Sequence, residues 1–363
     1  MNNLKYKPDF ERAQTCWDAF WNREIIDRPC TVICAQNSDN PVEPPGIQPV
    51  GIVDFEPVFS QMDGYLQTHC FLGEAVPAFM PDFGPDQMAG FLGAPIRISS
   101  DNPETNPAHP TGVTSWAEKI VDDWKSFLPL RIEPDNTCWK RMNEFHAAAQ
   151  DRFQGKCLLK NIDLHSNIDV LAALRGPENL VFDFIDEPEI ILEVMNQVCK
   201  IYKQVYMQFH QYGNKEKSGT TTWLQSYSRG KHNVIQADFI CLLSPDLFRR
   251  FVLPAIEGEA AFLDNCCFHL DGPDALKHLD DILAIKQIDA VQWVPGAGNK
   301  PQLQWPQLLH KIQSAGKSII LYGDSEQIKT IHGQYKPELV VYNVATKTEQ
   351  EGLELLDWLK KHT

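Results

Sequence analysis

The sequence lacks the features that mark several classes of protein. No segment approaches the roughly 20 apolar residues of a membrane-spanning helix, and the first residues contain no apolar signal-peptide core. Basic residues are the minority, with 33 Lys and Arg against 48 Asp and Glu, so the formal net charge is −15. A surface of that sign repels phosphates, which argues against a general nucleic-acid binder. These absences predict a cytoplasmic protein that binds neither membranes nor nucleic acids.

Several familiar catalytic and metal-binding motifs are also missing. The ten cysteines include no CxxC pair, and their spacing does not predict a disulfide framework. No GxGxxG follows the first predicted strand, and the chain has no HExxH, GxSxG or kinase motif. We therefore expect a reducing compartment in which most of the cysteines are small buried hydrophobes.

From about residue 117 onward, apolar strand-like segments alternate with helical periodicity about six times, which is typical of a parallel sheet. Polar residues collect at the carboxyl ends of these strands, where barrel enzymes place their active sites. We predict one (β/α)8 TIM barrel domain over residues 1–363, with an N-terminal helical and loop extension at 1–115 and the barrel body at 116–363. The strands are predicted at 31–34, 156–163, 220–225, 234–240, 266–270, 289–294, 318–322 and 339–343.

The first 115 residues are less regular than the rest. Residues 8–24 carry apolar side chains at helical spacing and predict an amphipathic helix. Residues 35–115 are rich in Pro, Gly, Asn and Asp, and so long an irregular stretch is often functional in an enzyme. The segment 73–85, which contains Glu74, is predicted either as a lid over the barrel mouth or as ordinary surface loops. Trp116 could form another wall of the same pocket.

Acids, imidazoles, amides and aromatic side chains follow the predicted strands at matching positions. In a barrel such side chains converge on one mouth although they are distant in sequence. Asp238 is the predicted catalytic acid among them. The predicted substrate-binding residues are Asp163, His165, Gln225, Tyr227, Gln292 and Trp293, together with Glu74 and Trp116.

The segment CCFHLDGP at 266–273 carries the sharpest chemical signal. His269 and Asp271 are two residues apart on a predicted strand, so both side chains point to one face. An imidazole beside a carboxylate can hold a metal, or act as an acid–base pair in which the carboxylate fixes the His tautomer. Cys267 has the same parity and is a third candidate metal ligand. Alternatively, His269 and Asp271 only cap the turn at Gly272.

The segment VQWVPGAG at 291–298 follows the next predicted strand. Gln292 can donate and accept hydrogen bonds, and Trp293 offers a flat apolar wall. The two glycines could let a ligand approach the backbone. They lack the spacing and the lysine of a P-loop, so a structural turn is the simpler interpretation.

Two blocks of the sequence resemble the uroporphyrinogen decarboxylase superfamily. One is LLSPDLFRRFVLP at 242–254, followed by FHLDG at 268–272, and the other is LRGPENL at 174–180, followed by Asp183 and DEP at 186–188. The resemblance extends over about residues 155–345. It implies a (β/α)8 barrel and an activity of one of two kinds: cofactor-free decarboxylation of uroporphyrinogen, or zinc-dependent methyl transfer with corrinoid proteins and thiols.

The resemblance also implies a metal site. The methyltransferases of the superfamily hold zinc through His-x-Cys on one strand and a further Cys near the last strand. His269 matches the His, but Asp271 stands where the first Cys would be, and residues 342–345 contain no Cys. A harder His/Asp metal site remains open, and so does a site without metal. Of the Arg-rich segment with which the decarboxylases bind carboxylates, this chain offers only Arg28.

We therefore predict an enzyme that transfers a methyl or one-carbon group to or from a small polar molecule, with zinc and a corrinoid protein as its partners. His269 and Asp271 form the central pair, and Asp238 completes the catalytic set. The second hypothesis is a decarboxylase or lyase, and the third is a non-catalytic ligand-binding barrel that has lost its zinc ligands. A homodimer is the expected assembly.

Overall fold

The computed structural model describes residues 4–100 and 113–363. Residues 1–3 and 101–112 of the expected extension lie outside the described residues. The strands are β1 (Cys30–Gln36), β2 (His69–Gly73), β3 (Ala78–Phe79), β4 (Ile96–Ser100), β5 (Val113–Ala117), β6 (Leu158–Leu159), β7 (Thr220–Thr221), β8 (Tyr227–Ser228), β9 (His232–Gln236), β10 (Asn265–Asp271), β11 (Ala290–Val294), β12 (Ser318–Asp324) and β13 (Val340–Ala345).

Helices surround these strands and follow most of them along the chain. They are α1 (Phe10–Trp21), α2 (Glu56–Thr68), α3 (Gln87–Phe91), α4 (Trp124–Phe127), α5 (Thr137–Phe153), α6 (Asn167–Arg175), α7 (Pro177–Asp186), α8 (Pro188–His210), α9 (Lys215–Ser218), α10 (Pro245–Leu247), α11 (Leu253–Ala260), α12 (Leu279–Ala284), α13 (Pro306–Ser314), α14 (Ser325–Ile331) and α15 (Glu349–His362). Short 3-10 turns occur at Tyr212–Asn214, Asp238–Leu242, Pro273–His278, Gln302–Gln304, His332–Gln334 and Pro337–Leu339, and a π-helical turn at Phe248–Val252.

Seven strands form one sheet in the order β2-β1-β13-β12-β11-β10-β9, and all neighbours are parallel except β1 and β2. The first strand therefore pairs with the last, with Cys30 opposite Val341, which is the pairing that a closed barrel requires. β3 and β6 form a separate parallel pair. Among the described residues, the fold is thus α/β with a mostly parallel seven-stranded sheet. In this part of the chain, the hydrogen bonds between strands do not form one continuous, closed barrel.

The core lies on both faces of this sheet. The segment CCFHL of β10 contributes Cys266, Phe268 and Leu270 on one face and Cys267 on the other, all fully buried, as expected for parallel strands covered on both sides. Helix starts follow their sequence signals: the Ser244 hydroxyl accepts the backbone N–H of Leu247. Asp324 forms a capping box at the start of α14.

The N-terminal third differs most from expectation. The segment 73–85 includes the buried residues Ala75, Phe79 and Phe83, so it packs into the core, and its role as a lid stays a prediction. The predicted strand at 156–163 shortens to β6, although the next backbone N–H groups still bond to neighbouring strands, from Lys160 to the carbonyl of Phe79 at 2.8 Å and from Asn161 to that of Thr221 at 2.7 Å. β1 and β2 lie in the main sheet, which therefore draws strands from both sides of the expected boundary near residue 115.

No helix within residues 4–100 and 113–363 combines the length and the apolarity that crossing a bilayer demands.

Candidate functional site

The candidate site lies at the carboxyl ends of three neighbouring strands. His269 on β10 is the register partner of Gln236 on β9 and of Gln292 on β11. Side chains at partnered positions of parallel strands share a face, so these three form a row. Asp271 follows His269 by two residues and Asp238 follows Gln236 by two, which places a carboxylate beyond the row on each of the two strands.

The row fixes the orientation of His269. The Nδ1–H of His269 donates to Gln292 Oε1 at 2.6 Å, and Gln292 Nε2 donates to the Tyr322 hydroxyl at 2.9 Å. A neutral imidazole held in this way keeps its lone pair on Nε2. That nitrogen lies 4.0 Å from Asp238 Oδ1. The Trp223 ring lies edge-on to the imidazole, with centroids 5.4 Å apart, and forms an apolar wall.

Asp238 belongs to two groups of potential metal ligands. One group is Asp238, His269 and Asp271, and the other is His165, Asp169 and Asp238. Within each group, one ligand atom per residue lies within 4.8 Å of the others. Three segments bring the second group together: the segment after β6, the first turn of α6 and the 3-10 turn that follows β9. The site therefore concentrates three carboxylates and two imidazoles around one shared residue.

Burial and crowding of like charges shift the proton affinities of these groups. Burial, followed by the negative charge of Asp238, raises the pKa of Asp169 to about 7, and the same two causes raise the pKa of Asp271. Burial alone would lower the pKa of His165, but the Asp86 carboxylate, 3.6 Å from its Nδ1, and the nearby Asp163 charge raise it to about 10. The cluster thus favours bound protons at neutral pH, and a metal ion that binds through His165 or Asp169 would have to displace them.

Asp163 contacts Gln236, the register partner of His269. Its Oδ1 accepts Gln236 Nε2 at 2.6 Å, and its backbone carbonyl accepts Gln87 Nε2 at 2.7 Å. Burial raises the pKa of the Asp163 carboxyl. Asp163 therefore positions the Gln236 side chain beside His269.

An open cavity of about 490 Å³ adjoins the cluster. Its wall includes His165, Asp169 and Asp238, the half-exposed Trp116 and the ring of Phe239. The sequence-predicted residues His165, Asp238 and Trp116 thus meet at one cavity. The volume suits a small molecule.

Three other predicted residues lie elsewhere. Trp293 points away from Gln292, because neighbouring residues on a strand face opposite sides, and it packs on Trp305 in the helix layer with centroids 5.2 Å apart. The Tyr227 hydroxyl accepts Gln14 Nε2 at 2.6 Å, and its ring packs against α1. Gln225 occupies the turn between β7 and β8 with φ of 59°. The apolar wall beside His269, which the sequence assigned to Trp293, is therefore formed by Trp223.

Glu74 is at the opposite end of the sheet from the cluster. Both of its carboxylate oxygens accept from the Arg28 guanidinium, at 2.5 and 3.0 Å, and one also accepts the Thr31 N–H at 2.7 Å. Thr31 is the second residue of β1, so this buried pair marks the amino-terminal end of the strands. Glu74 is a structural partner of Arg28, and the structure does not bring it to the predicted substrate site.

Cys267 lies two residues before His269, deep inside β10. Its side chain is fully buried, and burial raises the pKa of the thiol, which keeps it protonated. Neither of the two ligand groups found among the described residues includes Cys267. The third ligand beside His269 and Asp271 is instead Asp238.

Three site residues escaped the sequence analysis: Asp86, Asp169 and Trp223. Asp169 stands in the first turn of α6, where an acid is expected as a complement to the helix dipole, so its sequence position has an ordinary explanation. Asp86 lies in the irregular segment, and Trp223 reaches His269 only through the hairpin of β7 and β8. The spacing Asp163-x-His165-x-x-x-Asp169 was the one available signal.

The ligand set fits a divalent metal. The Oδ1 atoms of Asp238 and Asp271 are buried and have no hydrogen-bond partner. Buried carboxylate oxygens without donors are unfavourable unless a cation or a bound molecule compensates them. A nitrogen and two carboxylate oxygens suit zinc and also harder divalent ions.

Comparison with known proteins identifies one shared fold. No family model and no curated protein sequence matches the chain. Among solved structures, a methyltransferase from Methanosarcina mazei has a similar fold, with a TM-score of 0.54 and 11% identity over 96% of this chain and 98% of that one. At this identity the likeness is one of fold. The chain therefore has an α/β fold like that of a methyltransferase, and its membership of the uroporphyrinogen decarboxylase superfamily stays a prediction.

Proposed function

We infer that this protein is a metal-assisted methyltransferase-like enzyme of the uroporphyrinogen decarboxylase superfamily, with its eight main strands closed into a barrel. It would transfer a methyl or one-carbon group to or from a small polar molecule, with a corrinoid protein as partner. The observation that carries the proposal is the group Asp238, His269 and Asp271, placed beside a cavity at the carboxyl ends of the strands. The fold shared with a methyltransferase supports it.

The roles of the side chains follow from their contacts. His269, Asp238 and Asp271 would hold the ion, which when bound supplies Lewis-acid polarisation of an oxygen or sulfur ligand. Gln292 keeps His269 in the tautomer with a free Nε2. The Trp223 ring, packed against His269, keeps water from one side of the imidazole.

The cavity wall limits the choice of substrate. Three acids line it, Asp86, Asp169 and Asp238, together with two basic groups, Lys119 and His165. Arg28 is already engaged by Glu74 at the other end of the strands. A substrate with many carboxylates would meet like charges and no arginine cluster. The wall therefore disfavours uroporphyrinogen and favours a small molecule of low negative charge.

Decarboxylation of a small acid is the second candidate. The pKa of Asp169, raised to about 7, leaves a proton on this carboxyl in part of the molecules at neutral pH. Such an acid can protonate the carbanion that remains when carbon dioxide leaves. A ligand-binding barrel without catalysis remains the third hypothesis.

Metal analysis and two activity assays separate the three functions. We expect purified protein to retain zinc after dialysis, and His269→Ala to lose it, while the exposed control His310→Ala retains it. Methylcobalamin consumption in the presence of small thiols tests methyl transfer, and carbon dioxide release from small acids tests decarboxylation. Absence of bound metal after incubation with zinc would contradict the proposal, and carbon dioxide release without methylcobalamin consumption would favour the second candidate.

A further inference from the structure

We propose that Asp238 bridges two divalent metal ions, the second of which is held by His165 and Asp169. The inference rests on the proposed function for the first ion, at His269 and Asp271, and adds a second ion beside it. Both groups contain Asp238, and in each of them the ligand atoms lie within 4.8 Å of one another. A carboxylate has two oxygens and can bind one ion through each, which in two-metal sites gives a separation of about 3.5–4 Å.

The two imidazoles are oriented alike. His269 is held through Nδ1 by Gln292 at 2.6 Å, and His165 Nδ1 faces Asp86 Oδ1 at 3.6 Å. In metal sites, a ligating histidine characteristically turns its other nitrogen toward a carboxylate or carbonyl oxygen. Each of the two groups thus has its own supporting side chain, as two bound ions would require.

The two carboxylates of the group His165, Asp169 and Asp238 differ in their hydrogen bonds. Asp169 accepts the backbone N–H groups of Asp238 and Phe239, both at 2.9 Å, so its position relative to Asp238 is fixed by the backbone. Its oxygens keep further lone pairs for a metal. Asp238 Oδ1, by contrast, is a buried atom without a hydrogen-bond partner among the described residues, and it lies 4.0 Å from His269 Nε2.

The second ion would face the cavity. His165, Asp169 and Asp238 all line that 490 Å³ space, whereas His269 and Asp271 do not. Open coordination positions on the second ion would therefore take an oxygen donor of the substrate, such as a hydroxyl or a single carboxylate. The first ion, next to Trp223, would be the more enclosed of the two.

Manganese titration of the metal-free, full-length protein tests the inference. We expect two Mn²⁺ per chain by mass spectrometry of the metal content, and an exchange-coupled multiline signal by electron paramagnetic resonance. His165→Ala and His165→Gln should each bind one Mn²⁺ and lose the coupled signal. His269→Ala should also bind one. Asp238→Asn should weaken both binding steps at least tenfold, and the exposed control Asp280→Asn should match the wild type.

The possible failures are distinguishable. One Mn²⁺ in the wild type, lost in His269→Ala and unchanged in His165→Ala, would overturn the bridge while leaving the proposed function intact. Two ions without coupling would place them at separate sites and would also overturn it. No bound metal in any variant would refute both the bridge and the metal-assisted function.

Discussion

Glu259 is a buried carboxyl group that supports the segment carrying His165. It lies on α11 with 1% of its surface exposed, and it accepts Ser166 Oγ at 2.7 Å and Asn167 Nδ2 at 3.3 Å. Burial raises the pKa of Glu259 from 4.5 to about 8, against the opposing effect of the two hydrogen bonds. The folded protein therefore holds a proton here at neutral pH that the unfolded chain releases.

This proton makes stability depend on pH in a definite direction. Between about pH 4.5 and 8 the folded state binds more protons at this group than the unfolded state, so the free energy of unfolding falls as pH rises. The full contribution is about 5 kcal/mol, since each pKa unit corresponds to about 1.4 kcal/mol. About 4 kcal/mol of it is lost between pH 5 and pH 8.5.

Glu259→Gln removes the titration and keeps the shape of the side chain. Urea unfolding of wild type and variant at pH 5 and 8.5 should show the variant gaining about 4 kcal/mol relative to wild type over that interval. Other titrating groups cancel in this difference. The exposed control Glu257→Gln should follow the wild type at both values. Parallel pH profiles for wild type and Glu259→Gln would refute the protonated Glu259.

Three further substitutions test the roles assigned to residues in the candidate site and in the structure around it. Glu74→Ala leaves the buried Arg28 unpaired and should cost about 3–5 kcal/mol in urea unfolding, without changing metal content. Gln292→Leu removes the acceptor that holds His269 and should weaken zinc binding about 10–100-fold in a chelator competition. It should also cost about 1–3 kcal/mol of stability, because His269 and Tyr322 lose their shared partner. Gly84→Ala should lower stability by more than about 1 kcal/mol, because φ is 98° and the added Cβ would lie 1.8 Å from a serine hydroxyl.

Each of these three predictions has a result that contradicts it. An unchanged unfolding midpoint in Glu74→Ala would mean that the pair contributes nothing to the amino-terminal end of the sheet. Equal zinc affinity in Gln292→Leu would mean that His269 needs no fixed tautomer. A stable Gly84→Ala would show that the segment 73–85 adjusts easily, as a lid would.

Local signals in the sequence identified many elements correctly. The helix expected over 8–24 is α1, because apolar side chains at helical spacing act over a few turns of the chain. The strands at 266–270 and 289–294 were also correct to within a residue or two. The strand expected at 156–163 was not, since its length depends on a partner strand that is itself only two residues long.

The sequence by itself determined which residues of one strand share a face. The two-residue period placed His269 and Asp271 together, and the same period should have separated Gln292 from Trp293. Only the tertiary structure decided that Asp238 and Asp271 flank His269, that Asp169 joins them from a helix, and that Glu74 is held at the far end by Arg28. These choices depend on strand order and on which side chains meet across the sheet, and spacing along one chain carries no record of either.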